Sequence, residues 1–195
     1  MKEHRVAAWR GLDAWRAEYV DVWLHADRLL ARGVQIGIEP EPYRLQYAHD
    51  TAPGFLTGRL TADTSGVGWS RRLDLSRDAV GNWRVSADAA GNADMPPPGG
   101  DPAELAGAVD CDLGFSALFN SLPVLREHLL EQERPMDFEM AWVSVPDLAV
   151  RPSGQRYVPL GGERVEFISG DFRSTIHFDA DGLVTLYEDF LERVA

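Results

Sequence analysis

Hydrophobic and polar residues alternate with a period of two along most of the chain. The alternation is clear at Val20, Val22 and Leu24, and again at Phe138, Met140 and Trp142. Because successive side chains of a β-strand point to opposite faces, these segments are predicted to be strands. The same pattern in residues 34–38 and 43–47 predicts two further strands.

Two pairs of predicted strands are joined by short loops that contain turn-forming residues. Residues 73–75 lead through 78–82 to 83–85, and residues 172–178 lead through 179–182 to 183–186. Glycine, asparagine and aspartate in these loops are typical of hairpins. Short strands without long helices between them pair as antiparallel neighbours, because parallel strands need long crossovers. The pattern therefore predicts a mainly β fold with one highly curved antiparallel sheet.

Three segments depart from this pattern. The apolar residues Tyr187, Phe190, Leu191 and Val194 fall at helical spacing, which predicts one or two short amphipathic turns. Residues 122–132 fit a helix or a strand equally well, although Pro123 excludes a helix interior that begins before it. Residues 91–102, Gly91 to Pro102, are rich in proline and glycine and are predicted to form a surface loop within a single domain, residues 1–195.

Composition narrows the classes of function. A chain of 195 residues with 45% hydrophobic residues is long enough for one globular core. The net charge of -12 and the pI of about 4.8 oppose binding to nucleic acid. We find no signal peptide, no transmembrane segment and a single cysteine, Cys111, which together predict a cytoplasmic protein.

Local motifs for catalysis are missing from the sequence. No nucleophile elbow, Walker loop, dinucleotide fingerprint, zinc-protease helix or paired Cys-x-x-Cys occurs, so we predict a protein that is not an enzyme and has no cofactor, metal or catalytic residues. Asp110 and Asp112 share one face of a predicted strand, where they could share a proton or hold a divalent cation. A solvated or arginine-paired strand face is the more ordinary interpretation.

The chain contains six tryptophans, at positions 9, 15, 23, 69, 83 and 142. They are expected either in the core or around an apolar cavity. Curved sheets of many strands often enclose more volume than their side chains fill, and such a cavity suits a lipid tail.

Several segments carry a resemblance to a known family. Residues 105–113 followed by 120–124, then 146–148 with 155–157, and the ending 178–194 resemble the bacterial putative glycolipid-binding family. The sequence departs from the family pattern where Ser116-Ala117-Leu118-Phe119 replaces Thr-Pro-Phe-Thr, and where Leu125 replaces the first of two arginines and leaves Arg126.

The resemblance implies a sheet rolled into an incomplete barrel, one or two short helices and an apolar interior for a lipid-like or glycolipid ligand. Our first hypothesis is a non-enzymatic carrier or sensor of such an amphiphile, whose polar contacts come from Asp110, Asp112, Asn120, Arg126, Gln155, Tyr157 and Tyr187. The second is an enzyme on a small amphiphile that uses Asp110, Asp112 and His177. The third is a structural or interaction domain in which Asp110 and Asn120 satisfy buried backbone groups near the Leu122-Pro123 bend.

Overall fold

Residues 3–195 are described here in a computed structural model. The strands are β1 (Glu3–Gly11), β2 (Arg16–Leu24), β3 (Leu29–Gly37), β4 (Tyr43–Thr51), β5 (Thr57–Gly66), β6 (Trp69–Arg77), β7 (Trp83–Gly91), β8 (Asp110–Leu113), β9 (Met136–Val143), β10 (Val150–Pro159), β11 (Arg164–Ser169), β12 (Phe172–Phe178), β13 (Val184–Tyr187) and β14 (Leu191–Arg193). The helical elements are α1 (Ser121–Glu127) and 3-10 turns at Pro53–Phe55, Pro102–Leu105, Leu118–Asn120 and Leu129–Glu131.

The strands form a single sheet in the order β7-β6-β5-β4-β3-β2-β1-β14-β13-β12-β11-β10-β9-β8. Neighbours are antiparallel, as the sequence predicts, except for β8 and β9, which are parallel. The parallel pair is possible because residues 114–135, which include α1, make the crossover between these two strands.

The sheet curls without closing into a barrel, which confirms the predicted fold class. Its two edges, β7 and β8, are joined in sequence by residues 92–109, which lie between them. Gly99 receives a hydrogen bond from the amide of Val150 and donates one to the carbonyl of Leu148, both 2.8 Å long. The indole of Trp83 donates to the carbonyl of Ala108 at 3.1 Å. The proline- and glycine-rich loop therefore bridges the gap between the edges.

The two segments for which the sequence suggested a helix differ in outcome: one contains a helix and the other does not. Residues 121–127 form α1, with Pro123 in its first turn, where a missing amide hydrogen is tolerated. The predicted helical turn near the C-terminus is wrong, because residues 191–193 form β14. This segment lies between β1 and β13 and hydrogen-bonds to both, and that long-range pairing outweighs its local helical spacing.

Inward-facing residues of the strands make the core, but one predicted strand turns its apolar side outward. Val34 and Ile36 of β3 are exposed, whereas Gly33 and Gly37 face the interior. A methyl group added at Gly33 would lie 2.2 Å from the ring of Tyr47 on β4. The tyrosine ring therefore fills the volume that an inward side chain of β3 would occupy.

No helix among residues 3–195 has the length and apolar composition needed to cross a membrane.

Candidate functional site

A cleft of about 420 Å³ opens at the end of the roll where β8, β9, β11 and β13 finish, which we call the cleft end. Its walls come from both the sheet and residues 113–120, which cross the interior. The apolar lining consists of Leu113, Phe115, Trp142, Val145, Pro152, Phe167, Phe172, Tyr187 and Phe190. The polar lining includes Asp112, Ser116, Asn120, Arg151, Ser153, Gln155 and Ser169.

One wall of the cleft is a continuous series of aromatic rings. Phe172 packs edge-on against Phe167, Tyr187 and Phe190, with ring centroids 5.9–6.1 Å apart. Tyr187 and Phe190 are 5.1 Å apart in the same edge-to-face manner. Aromatic pairs in this geometry stabilise one another beyond simple burial. The wall is therefore rigid and apolar, which suits a hydrocarbon chain.

An arginine holds Phe115 beside Phe190, at one end of this aromatic wall. The guanidinium of Arg16 lies 4.6 Å from the ring centre of Phe115 and 4.8 Å from that of Phe190, and it is paired with Asp13. Phe115 has a φ of 61°, a backbone conformation that residues other than glycine seldom adopt. Stacking on a buried cation compensates part of that strain and fixes the ring at the cleft.

A chain of hydrogen bonds runs along the polar side of the cleft. The amide of Asn120 donates to the hydroxyl of Tyr157 at 3.0 Å, and this hydroxyl donates to the side-chain oxygen of Gln155 at 3.2 Å. The amide nitrogen of Gln155 then donates to Oδ2 of Asp112 at 2.5 Å. Because an ionised carboxylate can only accept, the donors all point towards Asp112. The chain joins four of the predicted ligand-binding residues.

Asp112 ends this chain with one oxygen still available. Its Oδ1 accepts no hydrogen bond from any of residues 3–195, and the half-buried side chain lines the cleft. Burial raises the pKa of this carboxyl from 3.8 to about 6, although the hydrogen bond from Gln155 opposes the shift. At neutral pH the cleft therefore presents a carboxylate acceptor, and Tyr187 belongs to the same lining.

Two predicted site residues, Asp110 and Arg126, lie away from the cleft and form a buried ion pair. Oδ1 of Asp110 accepts the backbone amide of Thr57 at 3.2 Å, and the amide of Cys111 donates to Oγ1 of Thr57 at 2.8 Å. Burial raises the pKa of Asp110, whereas Arg126 opposes that rise. The pair attaches β8 and α1 to the start of β5. It is a structural contact of the kind expected under the third hypothesis, although the backbone group it satisfies belongs to Thr57.

The residues named for the enzyme hypothesis are not assembled. His177 lies on the outer face of β12 and hydrogen-bonds to Glu188 at 2.8 Å, whereas Asp110 is buried. Another histidine, His49, is buried against Phe119, and burial lowers its pKa to about 4. Among residues 3–195, no group of three or more His, Cys, Asp or Glu side chains is placed to hold a metal ion.

Sequence reasoning missed the buried carboxylate of Glu18. It accepts hydrogen bonds from the hydroxyls of Tyr47 at 2.7 Å and Ser116 at 2.6 Å, and from the amide of Ala117 at 3.2 Å. Burial raises the pKa of Glu18, and these hydrogen bonds oppose the rise. The sequence did contain an indication of this role, because Glu18 alternates with Val20 and Val22 along one strand and so points to the same inward face. Glu18 therefore attaches residues 113–120, which cross the interior, to β2 beside the cleft.

The tryptophans divide between the core and other positions. Trp9, Trp69 and Trp83 are buried, and Trp142 lines the cleft beneath the guanidinium of Arg151, 4.4 Å above its ring. The sequence left open whether Trp142 lies in the core or lines a cavity, and it did not single out the phenylalanines of the cleft, because a cavity wall and a filled core have the same alternation.

A second depression, of about 390 Å³, lies across β4, β5, β6 and β7. Its lining is mainly charged or hydroxylated and includes Arg44, Asp63, Arg71, Arg72 and Asp88. An apolar ligand is therefore better matched by the cleft.

The fold and the cleft define this chain as an open β-roll with an apolar cleft at one end. Comparison with protein families makes the class specific: residues 6–193 match the family described as "Putative glycolipid-binding", and the chain belongs to that family. The crystal structure of a DUF1089 family protein from Pseudomonas aeruginosa has the same fold, with a TM-score of 0.71 and 20% sequence identity over 91% of this chain and 92% of that chain. None of the curated proteins matched the sequence.

Proposed function

We propose that this protein binds an amphiphile without transforming it and acts as its carrier or sensor. The apolar tail lies against the aromatic wall of the cleft, and the polar head contacts Asp112 and its hydrogen-bonded neighbours. The family description favours a glycolipid as the ligand. The observation that carries the proposal is the cleft itself, which is lined by an aromatic wall and by the carboxylate of Asp112, whose Oδ1 accepts no hydrogen bond from the part of the chain that the structure describes.

The size and lining of the cleft fit this type of ligand. Its volume of about 420 Å³ lies within the range of small-molecule sites, which are mostly apolar with a few placed polar groups. Each methylene removed from water contributes about 0.8 kcal/mol, so a short hydrocarbon segment can supply useful affinity. Neither His177 nor His49 lines the cleft, which favours binding over acid-base chemistry.

A series of alkyl glucosides with increasing chain length tests the proposal. At concentrations below micelle formation, each added methylene should tighten binding about fourfold until the cleft is full, because about 0.8 kcal/mol corresponds to that factor. Beyond that length the affinity should level off. Isothermal titration calorimetry gives the affinities, and native mass spectrometry of the purified protein shows whether an amphiphile is already bound.

A variant that fills the cleft provides the control. Ser153→Phe places a ring in the cleft and should weaken every member of the series, whereas Ser86→Phe makes the same change on the exposed side of β7 and should leave binding unchanged. Equal weakening by both variants, or no binding at any chain length, would refute the proposal. The predicted cytoplasmic location stays a prediction.

A further inference from the structure

Large apolar side chains exposed to solvent are unevenly distributed between the two ends of the roll. Among residues 3–195, those at the end opposite the cleft are Val80 and Leu160. At the cleft end they lie in the loops that join strands, or directly beside them: Leu12 (44% exposed), Trp15 (60%), Ile38 (48%), Val67 (92%) and Phe172 (44%). Exposed apolar groups concentrated on one surface mark an interaction site more often than scattered ones do.

Leu12, Trp15 and Phe172 lie at or directly beside the cleft. Leu12 donates its backbone amide to the carbonyl of Phe190 at 2.9 Å, and Phe190 lines the cleft. Trp15 directly precedes Arg16, whose guanidinium stacks on Phe190. Phe172 is itself part of the lining and packs against Phe190, with ring centroids 5.9 Å apart. The exposed apolar groups therefore flank the place where a ligand enters.

The next strand extends the same surface. Arg16 pairs with Gly37 across β2 and β3, so Ile38 continues β3 beside Trp15. Together, Leu12, Trp15 and Ile38 form an apolar patch on two adjacent loops.

The charge of the cleft-end loops limits what can cover this surface. The six short loops here, residues 12–15, 38–42, 67–68, 144–149, 170–171 and 188–190, contain seven Asp or Glu residues and no Lys or Arg. An anionic surface would be repelled by these carboxylates. An uncharged or zwitterionic lipid surface would not be, and tryptophan beside apolar side chains is typical of residues that enter the membrane interface.

We propose that the cleft end of the roll docks on an uncharged or zwitterionic lipid surface, with Leu12, Trp15 and Phe172 entering the interface. This inference rests on the proposed function, since docking at the entrance lets an apolar tail move between lipid and cleft without crossing water. The partner is a lipid bilayer, and a second copy of this chain on the same surface is the competing outcome.

Vesicle sedimentation tests the docking. The wild-type protein should bind phosphatidylcholine vesicles, and replacing a quarter of that lipid by phosphatidylglycerol should weaken binding at low salt. Trp15→Ser should lower the partition coefficient about tenfold, because a large apolar side chain no longer enters the interface. Val80→Ser removes an exposed apolar group at the opposite end and should have no effect. Leu12→Ser provides a second variant if Trp15→Ser alters thermal unfolding.

Other results would overturn the docking proposal, and they can be distinguished from failure of the proposed function. If monomeric octyl glucoside binds but wild-type protein ignores the vesicles, the cleft binds amphiphiles and the docking surface is wrong. If Trp15→Ser also loses affinity for monomeric octyl glucoside, Trp15 belongs to the cleft. If light scattering shows a dimer that Trp15→Ser dissociates, with vesicle binding unchanged, the surface belongs to a second copy of the chain.

Discussion

Asp112 allows a stringent test of how the cleft is built, through the variant Asp112→Asn. Burial raises the pKa of this carboxyl from 3.8 to about 6. The native state therefore favours the protonated carboxyl more than the unfolded chain does. The resulting stability is fully present below about pH 4 and is lost as the pH rises through 6. An amide of the same shape has no charge to bury, so the variant lacks this loss.

The size of the effect follows from the shift. A change of about two pKa units corresponds to about 3 kcal/mol, and the partial exposure of Asp112 reduces the expected value to about 2 kcal/mol. Relative to wild type, Asp112→Asn should therefore become more stable by about 2 kcal/mol between pH 3.5 and pH 8, with most of the change between pH 4 and pH 6. The comparison of two chains removes the contributions of other titrating groups, such as Glu18 and His49, that both chains share.

Urea unfolding followed by circular dichroism at several pH values measures the difference. Asp137→Asn is the matched control, because Asp137 is an exposed carboxylate on β9 that pairs with Arg156 outside the cleft. Its difference from wild type should change little across the same pH range. A difference for Asp112→Asn that is independent of pH, or one that favours wild type at pH 8, would show that the carboxylate is not desolvated as described.

Two further predictions concern the structural framework, and urea unfolding measures both. Arg126→Ala should lower the free energy of unfolding by about 3–5 kcal/mol, because Asp110 is left buried without a counter-charge. Adding Asp110→Asn to this variant should recover part of the lost stability. If the double variant recovers none of it, the argument from the ion pair is wrong. Gly33→Ala should cost about 1–3 kcal/mol because its methyl group would meet the ring of Tyr47. Gly154→Ala meets only the end of a flexible side chain, so an equal cost there would contradict this account.

The sequence predicted the strands well because their signal is local. Alternation and turn residues identify the hairpins 73–85 and 172–186, and the structure has both. Which face of β3 is buried could not be predicted from Val34 and Ile36, since that depends on the ring of Tyr47 on another strand. The strand at 191–193 was missed for the same reason, because its pairing with β1 joins the two ends of the chain.

Only some of the residues predicted for the candidate site lie together in the structure. Asp112, Asn120 and Gln155 were identified and do meet at the cleft, whereas Asp110 turned out to be paired with Arg126 elsewhere. Asp110 and Asp112 were predicted to share one face of β8, so the sequence could not distinguish them. Their surroundings differ because α1 brings Arg126 to Asp110. The aromatic wall could not be distinguished from core, because alternation reports burial and says nothing of the empty volume beside a ring.

The segment from Asp110 to Arg126 explains how an open cleft can persist in a packed protein. Protein interiors normally fill their volume, so an apolar cavity without support tends to collapse. Here Asp110 and Arg126 fix the two ends of the segment, and Glu18 fixes its middle through Ser116 and the amide of Ala117. Asn120 and Asp112 of the same segment are hydrogen-bonded to Tyr157 and Gln155 of β10. These directional polar contacts fix the distance between the segment and the sheet, so the space beside them does not depend on a ligand. Removing the contact at Glu18 should therefore narrow the cleft even where the sheet remains intact.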